Sequence, residues 1–475
     1  TLEQAMQQAG GVTVQRIDAN RMAYLSRGFE MTSLSLDGTP TTMDGRIFLS
    51  PNLAMYERVE VLKGPAGILN GAGGTGGSIN LVRKRPQAEA AVAGELSAGS
   101  WDDYRGMIDV TGPLTESGNV RGRLVADYKT EGAWIDRYKM ESQLLYGITE
   151  FDLSEETLLT MGFSYQRTDV DSPMRTGLPT RFSTGERSNL QRSLNMAPTW
   201  SYNDHEQTSF FTSLEQQLGN GWSGKVEYSH SENKFDELFG FLMGDLQPDG
   251  SGLSQLPVRF SGTPRQDNLD MYLTGPFSLF GREHELIGGV TLAHYRENTP
   301  SWGGWRYDYN ETPGAAVDNL FDWDGKQPKP DFTVSGKSSM EENQYAAYLT
   351  SRLHLTDDLN LILGSRVIDW KRDTEDRPYG GEITKVNRKE TGVFIPYAGV
   401  VYDLDETWAL YASYTKIFNP QASWVRNENH RPTSRRRTTY IRPSHININL
   451  YARLYRHQRG ERAAESPCCS RQPTQ

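Results

Sequence analysis

Cysteine is almost missing from this 475-residue chain: only Cys468 and Cys469 occur, side by side near the end. That pair defines neither a disulfide framework nor a metal-ligand spacing. Long apolar runs are missing too. No stretch of about 18 apolar residues exists, which excludes a membrane-spanning helix. The histidines and carboxylates form no H-E-x-x-H pattern, and no G-x-S-x-G or Walker sequence occurs, so no catalytic constellation is evident. Negative charge outweighs positive except at the end. Arg431 to Gln475 holds ten Arg, no Lys and two Glu, a formal +8, against -18 for the remainder and -10 overall. The acidic majority argues against nucleic-acid binding, while the basic end suits anions. No secretion signal is visible at Thr1, so the chain reads as a mature or incomplete form.

What is abundant points to strands. Hydrophobic residues are only 36% and mean hydropathy is -0.63, yet there are 46 Gly, 23 Tyr and 10 Trp. Strands of a transmembrane barrel alternate apolar with polar residues, which makes the average look soluble. A soluble all-β protein shares much of this composition. Length separates the two. In "LTMGFSYQ", Leu159, Met161, Phe163 and Tyr165 alternate with Thr160, Gly162, Ser164 and Gln166. In "WSGKVEYSH", Trp222, Val226, Tyr228 and His230 oppose Ser223, Lys225, Glu227 and Ser229, and "WALYASYTK" repeats the pattern from Trp408. Alternation often runs ten residues or more, as a tilted membrane strand requires, against the usual five or six of a soluble strand. Short turns ("TESGN", "LSEE", "LGNG", "TDD", "DLDE") alternate with long segments near 170–198, 235–256, 298–338 and 374–386. This predicts about thirteen strands between Ala91 and Phe418, with turns at one end and loops at the other.

Residues 1 to about 90 have a different texture. "TLEQAMQQAGGVTV" is a short helix pattern ending at Gly10-Gly11, with Leu2, Ala5 and Met6 on one face. Short strands and turns follow, with a hairpin signal at Asp37-Gly38. The sum is a small α+β domain. Within it, Gly71, Gly73 and Gly76 of "LNGAGGTGGSIN" spell G-x-G-x-x-G. A dinucleotide site needs a near-continuously apolar strand before that run and a helix after it. Here charges alternate with Val59 and Val61 before it, and "GSINLVRKRP" after it alternates and stops at Pro86. The glycines therefore read as a tight turn joining two strands.

"RGFEMTSLSLDGTP" and "ERVEVLKGPAGILNGAGGTGGSINLVRKRP", in that order and followed by long alternating strands, resemble the TonB-dependent outer-membrane siderophore receptors, nearest the ferric pyoverdine and ferric coprogen branch. The resemblance covers a plug from Thr1 to about Pro86 and a barrel to about Val425. It implies a mainly β fold: a transmembrane antiparallel β-barrel, 22-stranded in the family, with an N-terminal α+β plug in its lumen. It also implies uptake of a ferric siderophore across the bacterial outer membrane, energised through TonB by the proton-motive force. No covalent chemistry is implied, and no cofactor, because the iron arrives enclosed by the siderophore. A hydroxamate-containing or pyoverdine-type chelate is the expected ligand. The expected partners are that ligand, TonB and outer-membrane lipid or lipopolysaccharide, with no nucleic acid.

The resemblance also nominates residues. The segment after "LDGTP" reaches the ligand pocket in the family, which singles out Thr41, Thr42, Met43 and Arg46; Arg46 suits a carboxylate or anionic chelate. The loop "PSWGGWRYDYNE" crowds Trp302, Trp305, Tyr307 and Tyr309, with Trp323 beyond it. Such aromatics offer flat apolar surface to a ligand, or form an interfacial girdle or a self-packed loop. Arg27, Gly28, Asp37, Gly38, Pro40, Glu57, Arg58, Lys63 and Gly64 are expected to shape the plug or meet the barrel wall, as are Glu60, Arg83 and Lys84. Wet, charged contact of that kind can rearrange.

Two departures from the family pattern are visible. The family's TonB-contacting segment lies upstream of Thr1. After "FNPQASWVRNENHRP" the strand pattern fades and "TSRRRTTYIRPSHININLYARLYRHQRG" replaces an acidic turn and further strands. The division expected is an incomplete plug (1–90), a partial barrel (91–425) and an anomalous basic tail (426–475) that is frame-shifted or disordered. A barrel with open edges is prohibitive in lipid, so this chain is expected to be a non-functional truncated form. The other reading is a passive structural or adhesive outer-membrane barrel with a soluble N-terminal domain.

Overall fold

A computed structural model describes residues 1–18, 21–41, 51–65, 67, 71–405 and 408–420, and the backbone of 451–454. The N-terminal part begins with helix α1 (Leu2–Gln8). Thr1 and Gln4 form a reciprocal capping box at its start, and Leu2 and Met6 point into the core. Strands β1 (Val12–Arg16), β2 (Met22–Ser26) and β3 (Phe29–Glu30) form one antiparallel sheet. Strands β4 (Ser33–Leu36), β5 (Thr39–Thr41), β6 (Tyr56–Lys63) and β7 (Gly77–Arg83) form a second, in the order β5-β4-β7-β6, with β4 parallel to β7. Asp37-Gly38 closes the β4–β5 hairpin with both residues at positive φ, 48° and 86°. Arg27-Gly28 does the same between β2 and β3. Two-residue turns of this kind match the twist of the strands they join.

The glycine run differs from the tight turn expected. Lys63 pairs with Gly77, and Gly64 N–H donates to Gly76 O at 3.0 Å, so the ends of the segment do meet. Between them the chain makes a long excursion. Gly73 N–H donates to Phe418 O at 2.9 Å, and Ala72 bridges Phe418. The hairpin-like ends were visible in the alternation on either side; the contact with a residue far along the chain was not.

The rest is one antiparallel wall. Its strands are β8 (Ala91–Gly99), β9 (Asp103–Pro113), β10 (Val120–Gly132), β11 (Lys139–Asp152), β12 (Thr157–Asp171), β13 (Tyr202–Gly219), β14 (Trp222–Gly244), β15 (Leu253–Gly262), β16 (Arg265–Leu279), β17 (Arg282–Ser301), β18 (Gly336–His354), β19 (Leu359–Pro378), β20 (Thr384–Asp403), β21 (Trp408–Thr415) and β22 (Tyr451–Leu454). Consecutive strands pair, except that β14 pairs both β15 and β16, and β8 and β22 are the edges of the described sheet. Thirteen strands of this path lie between Ala91 and Thr415, the number expected; β15 stands off the path and pairs β14. The lower half of β14, Ser223 to Glu232, pairs β16, while its upper half, Phe235 to Gly244, pairs β15. Among the described residues no helix is long and apolar enough to cross a membrane; a β-barrel crosses with strands.

Alternation assigns the faces. Odd positions of β12 carry Met161 and Phe163, even positions of β14 carry Val226 and Tyr228, and all four are exposed. Leu145, Phe210, Leu273, Val290, Leu349, Leu363 and Phe394 continue the exposed apolar belt. Exposure on that scale marks a surface made for an apolar medium. The opposite face meets the plug. Leu2, Met6, Met31, Ile79 and Leu81 pack with Val125, Leu144, Tyr146, Ile148 and Phe211 of the wall.

Candidate functional site

The ion pairs between plug and wall fix which wall residues look inward. Arg83 spans Asp37 of the plug (2.6 Å) and Glu227 of β14 (3.1 Å). Lys84 meets Asp109 of β9 at 2.8 Å, and Arg85 meets Glu150 of β11 at 2.6 Å. Asn52 donates through Nδ2 to Asp127 at 2.7 Å and through its backbone to Gln166 at 3.2 Å. Burial alone works against the Arg85 charge, but Glu150 and Glu215 outweigh it and raise its pKa. The Arg85 contacts at the rim are wet enough to rearrange, since its side chain stays half exposed.

Following the same inward parity toward the long loops gives the upper lumen. On β14 it passes through Glu237, Phe239 and Phe241. Trp305, from the loop between β17 and β18, stands edge-on to Phe241 with centroids 5.0 Å apart. On the facing strands lie Gln266 and Asn268 of β16, Glu342 and Gln344 of β18, and Trp370 and Arg372 of β19. Arg372 pairs with Glu342 at 2.6 Å and stands 5.5 Å from the Trp370 ring. Trp370 packs edge-on to Phe418 at 6.2 Å. Its Nε1 has no hydrogen-bond partner among the described residues. Gly71 of the plug sits against Gln344, Arg366 and Ile368, so plug and wall together floor this space. The result is an aromatic wall with convergent charged and amide groups, a surface suited to a bulky amphipathic ligand. Among the described residues no three His, Cys, Asp or Glu side chains converge as metal ligands.

The four loop aromatics nominated together are placed in four different settings. Trp305 lines the lumen side. Trp302 lies on the outward face: its Nε1 donates to Ser261 at 3.0 Å, and the Arg259 guanidinium stacks 4.0 Å from its ring. Tyr307 is 75% exposed. Tyr309 is buried, donates to Pro328 O at 2.5 Å and packs edge-on to Trp200 at 6.3 Å; burial pushes its phenol pKa up. Gly303 and Gly304, at φ 76° and 75°, turn the chain between Trp302 and Trp305 and so separate them. Trp323 is capped by Arg137 at 5.5 Å and packs on the apolar cluster of the outer loops. Thr42, Met43 and Arg46 lie outside the described residues; Thr41 donates to Leu34 O within the plug at 3.0 Å.

The plug residues divide likewise. Asp37 accepts from both the backbone N–H (2.8 Å) and Nε of Arg83 (2.6 Å). Gly38 N–H donates to Asn80 Oδ1, and Pro40 O accepts from Gln266 of the wall at 3.3 Å. Arg27 and Gly28 are turn residues. Gly64, at φ 96°, begins the glycine excursion. Arg58 pairs with Glu60 on the plug itself, and Lys63 Nζ donates to Gly10 O, so neither side chain reaches the wall through these contacts. Glu57 is exposed. Trp370, Arg372, Phe239 and Phe241 were not nominated; extending the inward parity of β19 finds the first two, while Phe239 and Phe241 lie in a segment of β14 whose alternation is lost.

A plug whose last strand feeds, at Ala91, into an antiparallel wall that is apolar outside and charged inside defines a plugged transmembrane β-barrel. The sequence belongs to the TonB-dependent receptors: residues 1–78 match the TonB-dependent receptor plug domain and residues 145–443 the TonB dependent receptor-like β-barrel. The chain is 68% identical over 435 residues to the ferric-pyoverdine BN7/BN8 receptor of Pseudomonas putida, covering 91% of this chain and 53% of that protein. It is 40% identical over 440 residues to the ferripyoverdine receptor of Pseudomonas aeruginosa, covering 90% and 52%. The crystal structure of the Pseudomonas aeruginosa outer-membrane ferripyoverdine receptor bound to ferripyoverdine superposes with a TM-score of 0.83 at 39% identity, over 90% of this chain and 56% of that one. The chain spans about half the length of the curated relatives it matches.

Proposed function

We propose that this chain carries the plug and the plug-facing wall of a receptor for ferric pyoverdine-type siderophores in the bacterial outer membrane, with uptake driven through TonB. The observation that carries the reading is the 68% identity to a ferric-pyoverdine receptor, which runs through both plug and wall. The upper lumen supports it. Phe241 and Trp305 offer aromatic surface to a chelate, Trp370 backs the site from the wall, and Arg372, Gln344, Gln266 and Asn268 supply polar groups. Arg46 and Met43 are proposed to complete the site from the plug, and Tyr307 to close over it. Trp302 and Tyr309 hold the loop. The iron is cargo inside the chelate, and the protein's part is binding and release rather than bond chemistry. None of the relatives named above is a passive or adhesive barrel.

Titration of the detergent-solubilised chain with ferric pyoverdine, followed by quenching of tryptophan fluorescence, tests this. Trp370→Ala and Trp305→Ala are each expected to weaken binding by about 10- to 100-fold, as truncation of a buried aromatic anchor does. A folded chain that neither ferric pyoverdine nor ferrioxamine B quenches would overturn the reading. Unchanged affinity in both variants would move the pocket elsewhere.

A further inference from the structure

A second, drier set of charges joins the plug to the outer loops. Asp18 lies in the connection after β1. Its Oδ1 accepts the Arg21 backbone N–H at 2.9 Å, and its Oδ2 pairs with the Arg21 side chain and with Arg175 Nη1 at 3.2 Å. Arg175 belongs to the long connection 172–201 between β12 and β13. Its Nη2 stands 3.6 Å from Glu237 of β14, whose other oxygen lies 2.9 Å from His205 Nε2 of β13. The Arg175 guanidinium covers the Phe239 ring at 3.7 Å, and His205 stacks on Phe235. The side chains of Asp18, Arg175, Glu237 and His205 are all between 1% and 3% exposed. Water therefore screens these pairs far less than the rim contacts of Arg85.

Ownership of the groups matters. Asp18 and Arg21 belong to the plug, Arg175 to a loop, and Glu237, His205 and Phe239 to the wall. Should the plug withdraw, Asp18 leaves with Arg21 still on its carboxylate. Arg175 keeps Glu237 and Phe239. Beside Glu237, as its register partner on β13, lies Asn203, fully buried, its Oδ1 and Nδ2 without a hydrogen-bond partner among the described residues. Each charge thus keeps an opposite charge on its own side of the contact, Asp18 with Arg21 and Arg175 with Glu237, which suits a two-state contact rather than a permanent weld.

The loop that Arg175 roots is a roof. Met196 at its far end packs with Leu242, Leu246 and Leu253 of the β14–β15 hairpin and with Val317 and Leu320 of the β17–β18 loop. We propose that Arg175 is the positioning residue through which the plug sets the order of this roof: a docked plug holds Arg175 through Asp18 and keeps the roof closed, and a displaced plug loosens it. Linkage makes the effect reciprocal, so a loosened roof also loosens the β1–β2 sheet of the plug. Nothing in this requires the ligand to be a ferric siderophore.

The test needs no ligand. Arg181 and Arg187 are exposed in the same loop and are sites for trypsin. In the full chain in micelles, Asp18→Asn is expected to speed cleavage at both about ten-fold, within the range of typical coupling, with Asp18→Glu near the parent rate. Should Asp18→Asn unfold the plug, Arg175→Gln decides, because it leaves the plug's sequence intact. It should speed amide exchange in β1 and β2 and leave β6 and β7 unchanged. Parent-rate cleavage in a folded Asp18→Asn chain, or unchanged β1–β2 exchange in Arg175→Gln, overturns the proposal.

Discussion

Replacing Arg83 with methionine is expected to destabilise the docked plug by about 3–5 kcal/mol, the usual cost of removing one partner from a buried charged group. Arg83 is the last residue of β7, and its side chain is 8% exposed. Its Nε donates to Asp37 Oδ2 at 2.6 Å, its Nη2 to Glu227 Oε1 at 3.1 Å, and the guanidinium lies 3.5 Å from the centre of the Phe211 ring. Methionine would fill the space over Phe211 but take the guanidinium from the buried Glu227 and the partly exposed Asp37; among the described residues Asp37 keeps the Arg83 backbone N–H, and Glu227 keeps Lys225 at 2.8 Å. Burial disfavours the Arg83 charge, yet Asp37 and Glu227 outweigh it and its pKa is raised. A raised pKa contributes stability that is fully present below arginine's ordinary value and is lost only as the pH climbs through the higher one. The deficit in Arg83→Met should therefore be the same at about pH 6 and about pH 9. Amide-exchange protection in β6 and β7 should fall by about a hundred- to several-thousand-fold. A fall of less than about ten-fold would show that this contact does not hold the plug.

The wall was legible because its face assignment is local. Met161 and Phe163 had to share a face whatever they met, and that face proved to be the exposed one. The upper half of β14 was not legible. "FDELFGFLMG" reads as loop because its alternation vanishes, and it vanishes because both faces are covered. Phe239 meets Arg175 on one side, while Leu242 packs with Met196 and Leu246 on the other. A strand buried on both faces loses its period. The segment 374–386 misled in the opposite way. Strands β19 and β20 extend through most of it, with only 379–383 between them. Above the apolar belt their outward residues, Lys371, Asp373 and Lys385, carry no apolar signal to alternate. Ion pairs such as Arg83–Glu227 join residues 144 positions apart, a distance no periodicity reports. The aromatic loop was read as one surface because its residues are close in sequence; two left-handed glycines divided it.

The glycine run is where letter and physics diverge most, and Gly76→Ala is expected to show it. A Cβ at Gly76 would stand 2.4 Å from both Phe29 O and Glu30 O, and one at Gly77 would stand 2.1 Å from Leu62 O. These neighbours are backbone, so relief requires moving β3 or β6 rather than a rotamer change. Overpacking of this kind costs about 3 kcal/mol or somewhat more. At Gly77 the φ of 136° adds strain of about 1–3 kcal/mol for any residue with a side chain. Gly10 supplies the contrast: a Cβ there meets nothing within 4 Å, and no left-handed φ is required. Gly10→Ala should be neutral or slightly stabilising, since it only narrows the unfolded ensemble. A phosphate cradle predicts a different outcome, in which alanine at Gly76 weakens nucleotide binding and leaves stability near the parent's. Amide exchange of β4 and β7 separates the two, because the close approach of Gly76 to the Phe29–Glu30 backbone is what the small residue permits. Equal protection in Gly76→Ala and Gly10→Ala would mean that the run is kept for something other than that approach.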